Sequence, residues 1–73
     1  MHGSATDQKP IKKRFWLAQL RMQADYSQQQ TADLLGISQQ HYCWIEGGRR
    51  RPSVELAKQI GALFQCDWVL FFQ

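Results

Sequence analysis

The 73-residue chain is sparing with the residues that interrupt or staple a fold, holding two prolines, five glycines and two cysteines. With 44% apolar residues, so little Pro and Gly excludes collagen-like and disordered classes and leaves a globular one. Cys43 and Cys66 have no CxxC spacing and no ligand cluster around them, so neither a zinc site nor any other cofactor is expected. Reduced thiols and a cytoplasmic location are the matching expectation. No apolar run approaches the roughly twenty residues of a membrane span. Residues 1–9 also lack the apolar region of a secretory signal. The six carboxylates are scattered, without a Ser, His and Asp arrangement or a phosphate-binding glycine loop, so an enzyme is not expected. No run of alternating apolar and polar residues suggests a sheet.

What is present has helical spacing. Residues 1–10 are polar and aperiodic and read as a flexible N-terminal tail, some of it open to being vector-encoded, with an arm that touches a partner as the alternative. Residues 11–73 form one domain, near the lower size limit for a core without staples. A first helix is expected over Ile11 to Ala24, with Leu17, Leu20 and Ala24 on one face. Gln28 to Leu35 follows, turning Ala32 and Leu35 inward, and Ile37 plugs the next turn into the core. Gln39 to Glu46 is the third helix, stopped by Gly47 and Gly48. Ser53 opens a fourth over Val54 to Phe64, whose Leu56, Ala57, Ile60 and Phe64 share a side. Cys66 to Phe72 closes the chain as a turn or short helix. The expected fold is all-α, a compact four- to five-helix bundle.

Within it, Ser27 to Glu46 parses as two short helices, each opened by a capping Ser (Ser27, Ser38) and joined at Gly36, where the reversal needs a positive φ. That is a helix-turn-helix. At about 100° per residue, Gln39, Gln40, Cys43 and Trp44 share one arc of the second helix, opposite Tyr42 and Ile45. A Gln amide can donate to and accept from adenine together, so Gln39 and Gln40 are the candidate base readers. Trp44 is open between a thymine contact and burial, and Cys43 between a base contact and small filler. Gln28, at the amino end of the first of these helices, is a candidate phosphate ligand. His41 borders the arc and reads either as a phosphate contact or as plain surface. Basic residues gather at Lys9, Lys12, Lys13 and Arg14 and at Arg49, Arg50 and Arg51. The Arg triplet is a candidate phosphate clamp. The net charge of +3 is too mild to decide anything.

From Leu17 to Phe72 the chain resembles the Cro/C1-type (XRE) helix-turn-helix family, which includes lambdoid phage repressors. The residues that carry the likeness are Leu20-Arg21, Ser27-Gln28, Ala32, Leu35-Gly36-Ile37-Ser38, Ile45-Glu46-Gly47-Gly48-Arg49 and Pro52-Ser53. The resemblance implies a lambda repressor-like DNA-binding domain, a dimer at least on DNA, a near-palindromic operator and a reading helix in the major groove. It further implies that Arg21 pairs with Glu46 to fix that helix, and that the source is bacterial, phage or another mobile element. Thr31 departs from the family's usual Leu, and Gly47 from its Asn or Arg. The run Tyr42-Cys43-Trp44 is unusual and leaves the operator sequence unread.

A sequence-specific regulator of transcription, most simply a repressor, is therefore the expected function. An antitoxin-type autoregulator shares the fold. A protein-interaction module is the alternative of another class, and Trp68-Val69-Leu70-Phe71-Phe72 is the segment that would serve a protein partner, against core closure as its ordinary use.

Overall fold

Four α-helices and a 3-10 helix run in series through the computed structural model, which describes residues 13–73. They are α1 (Phe15–Gln23), α2 (Gln28–Leu35), α3 (Gln39–Glu46), α4 (Val54–Phe64) and the 3-10 helix Trp68–Phe72. The molecule is all-helical, with no strand among the described residues. The expected tail 1–10, the cations Lys9 and Lys12, and the first residues of the helix expected from Ile11 lie outside the described residues.

Local chemistry sets most of the boundaries. Ser27 Oγ accepts from the Gln30 amide at 3.0 Å while Gln30 Oε1 accepts from the Ser27 amide at 2.8 Å, so the two residues satisfy each other's free donors. Ser38 and Ser53 accept from the amides of His41 and Leu56 in the same manner. Gly36 ends α2 in the left-handed region at φ 73°, where a β-carbon would crowd the following carbonyl. The 3-10 helix is opened by Asp67, whose carboxylate accepts from the Val69 amide at 3.1 Å.

The first helix departs from expectation at both ends. Lys13 and Arg14 precede it, because Arg14 is tied sideways: its amide donates to Glu46 O at 2.8 Å, which holds it outside helical geometry. At the other end Ala24 is exposed and caps the helix, where the sequence puts it within the helix on one face with Leu17 and Leu20. Asp25 then takes φ 63° and turns the chain away, so no further turn of α1 faces inward. Leu17 is buried and Leu20 half-buried against the core.

Leu17, Ala32, Tyr42, Ile45, Leu56, Ala57, Ile60, Phe64 and Phe71 make the core. Burying each of the larger side chains is worth about 1.5–3 kcal/mol. Thr31, the family departure, is fully buried, and its hydroxyl donates to Ser27 O at 2.9 Å, so no polar atom is stranded there. Phe71 meets Trp16 edge-on at 5.1 Å, which folds the C-terminal segment back onto α1. Closing that segment onto α4 relies on Gly61, where an added β-carbon would lie 2.8 Å from Cys66 O and 3.2 Å from Trp68 Cβ.

Candidate nucleic-acid interface

The amino half of α3 is presented outward while its other face is locked. Tyr42 and Ile45 are fully buried and Glu46 nearly so, whereas Gln39, Gln40 and Cys43 are exposed. The 100° spacing thus divides the helix as the sequence predicts. Trp44 is half-buried under a cation, with the Arg50 guanidinium 5.1 Å above its ring. His41 is half-buried beside the arc.

A polar cluster anchors the inner face. Arg21 Nε donates to Glu46 Oε2 at 2.5 Å, with the two side chains only 14% and 7% exposed. Gln28 Nε2 donates to Glu46 Oε1 at 3.1 Å, and Arg21 Nη1 donates to Tyr26 O at 2.8 Å. α1, α2 and α3 are thereby joined through one carboxylate. The Glu46 hydrogen bond raises the Arg21 pKa, against an opposing effect of burial. Tyr42 lies beside this pair, and burial first, then Glu46, pushes its hydroxyl up. Among the described residues, Tyr42 Oη is the buried side-chain polar atom without a hydrogen-bond partner.

The loop after α3 wraps its own helix end. The amides of Arg49 and Arg50 both donate to Trp44 O, at 2.9 and 3.3 Å. Arg49, Arg50 and Arg51 are exposed, and Arg51 stands 5.8 Å over the Phe72 ring. Beside α3 runs a groove of about 650 Å³ whose lining includes Lys13, Phe15, Gln28, Cys43, Trp44 and Arg49.

Residues 16–70 match the family described as "Helix-turn-helix domain". The chain belongs to the Cro/C1-type helix-turn-helix family. Its relatives include an uncharacterised HTH-type transcriptional regulator, YqaF, of Bacillus subtilis strain 168. That protein is 37% identical over 60 residues, which cover 82% of this chain and 79% of YqaF. The HTH-type transcriptional regulator AnsR of the same strain is 45% identical over 56 residues, 74% of this chain and 48% of AnsR. The chain thus spans about half of AnsR's length. No solved structure matches at a significant level.

In this helix-turn-helix domain the expected site residues fall into three groups. Gln39, Gln40 and Cys43 stand free on the arc, with Trp44 at its edge beneath Arg50. Arg49, Arg50 and Arg51 flank the arc as expected by position, yet two of their guanidiniums rest on aromatic rings. Gln28 differs: the sequence predicts a free side-chain amide there, and the structure turns it onto Glu46 Oε1, which it shares with the more distant Arg21 Nη2 at 3.5 Å. Arg14 differs too. It is withdrawn from the first basic patch, and its Nη1 donates to Ile45 O at 2.6 Å and Arg50 O at 3.0 Å. Sequence reasoning missed these contacts, since each joins residues 18 to 36 positions apart. The one available signal was Arg14 itself, a cation beside the start of an apolar helix. Among the described residues no group of His, Cys, Asp and Glu is placed to hold a metal ion. No helix among them is long and apolar enough to cross a membrane.

Proposed function

We propose that the protein is a sequence-specific, duplex-DNA-binding regulator of transcription, and a repressor that occludes a promoter. The observation that carries this reading is the division of α3: a capped amino end with Gln39, Gln40 and Cys43 exposed, on a helix whose opposite face is buried and ion-paired. A reading helix must present side chains to base edges while its own orientation is fixed by the bundle. Gln39 and Gln40 read base edges in the major groove, Cys43 and Trp44 flank them, Arg49, Arg50 and Arg51 neutralise phosphates, and His41 contacts one. The free amides at the start of α2 serve a further phosphate, with Gln28 tying that helix end to α3. The operator is two-fold symmetric and the protein occupies it as a homodimer. The regulators named among its relatives support the same reading.

Selection of bound sequences from a random duplex pool tests this, followed by affinity for the selected site against scrambled DNA at two salt concentrations. A symmetric enriched site and a large specificity ratio are expected, and binding without enrichment sinks the reading. One observation favours a second use, by a protein partner: Val69 and Leu70 are 39% and 41% exposed on the closing 3-10 helix, while neighbouring Phe71 is buried. If that edge is the seam between copies, Leu70→Asp lowers the dimeric fraction in sedimentation without altering which bases are preferred.

A further inference from the structure

We propose that Arg14 is a positioning residue of the interface: it clasps the carboxyl end of α3 to the Arg49–Arg51 loop and so fixes where the loop's cations stand relative to the reading arc. Its effect on DNA rests on the function proposed above, whereas the clasp itself does not. Arg14 stands ahead of the family match, which begins at residue 16.

The last carbonyls of a helix have no partner within it. Arg14 supplies partners to two of those of α3, its amide to Glu46 O at 2.8 Å and its guanidinium to Ile45 O at 2.6 Å, the latter carbonyl also accepting from the Gly48 amide at 3.2 Å. The cation also lies at the negative end of the helix dipole. The same Nη1 donates to Arg50 O at 3.0 Å, in the loop that follows. Helix end and loop are therefore gripped by one side chain from a third element. The guanidinium face lies 5.4 Å from the Phe71 ring centroid, so the grip is seated on the C-terminal segment as well. Burial, then the neighbouring Arg51, lower the Arg14 pKa, which agrees with a guanidinium enclosed beside the loop and not spread into solvent.

Arg50 is held at both ends as a result. Its carbonyl is fixed by Arg14 and its guanidinium is stacked on Trp44, a side chain of the reading arc. A lysine loses part of this: its ammonium has donors enough for two carbonyls, but it is a compact, strongly hydrated charge without the flat guanidinium that rests on the Phe71 ring while Nη1 spans them.

The test compares Arg14→Lys, which keeps the charge, with Arg14→Gln, which removes it, in the full chain. Amide hydrogen exchange is read at Arg49 and Arg50, with Ile60 and Phe64 in α4 as the reference, and binding to a random-sequence duplex is read at two salt concentrations. Both variants are expected to speed exchange at Arg49 and Arg50 about tenfold or more and to leave the α4 amides nearly unchanged. Both should weaken duplex binding several-fold and alike. In an Arg50→Ala background Arg14→Lys should then weaken binding by a smaller factor than in the wild type, since one of the loop cations it positions is already gone while Arg49 and Arg51 remain. The clasp is overturned by unchanged exchange at Arg49 and Arg50, by acceleration spread evenly through α4, or by failure of both variants to fold. Wild-type-like binding by Arg14→Lys with weakened binding by Arg14→Gln overturns it too, since that pattern marks a direct phosphate contact. If the wild-type protein binds no duplex at all, the proposed function fails, and exchange alone decides the clasp.

Discussion

Gln40 makes no side-chain hydrogen bond among the described residues and stands in the first turn of α3, so its amide costs little to redirect toward a base. Gln40→Ala is expected to lose about 1–3 kcal/mol of specific binding, the discrimination of a good bidentate pair, while affinity for scrambled duplex persists. Competition between the selected site and scrambled DNA measures the difference. Glu46 is the opposite kind of residue, with both oxygens engaged inside the bundle. Removing its partner through Arg21→Ala leaves a carboxylate buried with one neutral donor, and a loss of about 3 kcal/mol is expected. In a domain of this size that lowers the melting temperature by more than about 10 °C, and a thermal scan by circular dichroism reads it. An unchanged melting temperature would show that the pair contributes orientation and no net stability.

At the scale of elements, α2, α3 and α4 begin where their serine signals stand, and α2 ends at its glycine, whereas α4 ends at Gln65, a left-handed residue that no sequence signal marks. Ser27, Ser38, Ser53 and Gly36 each act within four residues of themselves, so a linear reading finds them. The start of α1 was not legible for the converse reason: Arg14 is placed by Ile45, Glu46 and Arg50, and nothing near it in the chain announces those bonds. The arc of Gln39, Gln40 and Cys43 was legible from periodicity, while the seating of Arg50 on Trp44 and of Arg51 on Phe72 was not. Such contacts depend on how a loop folds back, which spacing does not encode. Gly61 is another case, since mid-helix glycine ordinarily reads as a weakness of about 1 kcal/mol against alanine. Here Gly61→Ala is expected to destabilise, because its methyl would meet the Cys66 carbonyl at 2.8 Å and displace the 3-10 helix. Urea denaturation checks the sign, and a higher midpoint in the variant would mean that the segment yields.

For the molecule as a whole, stability is expected to decline in alkali. Burial first, then Asp67, push the Cys66 thiol up, and burial pushes the Tyr42 hydroxyl up as well. A group whose pKa is raised on folding holds its proton more tightly in the native state. Its contribution is complete below the unfolded pKa, about 8.5 for Cys and 10 for Tyr, and is lost as pH climbs through the folded value. Urea midpoints should therefore fall from about pH 8.5 upward, and Cys66→Ala should flatten the first part of that fall. A midpoint rising over this range would contradict both assignments.

The brevity of α3 bears on how much information one protomer can carry. Eight residues make a rod about 12 Å long, and its exposed arc begins with only three side chains. At 3.4 Å per base step, that rod covers about four base pairs. A word of four letters recurs about every few hundred positions in random sequence, and a genome offers on the order of a million or more competing positions. Under the proposed function, one copy of this domain is thus an address reader with too short an address. A second copy in fixed register doubles the length of the word and squares its rarity.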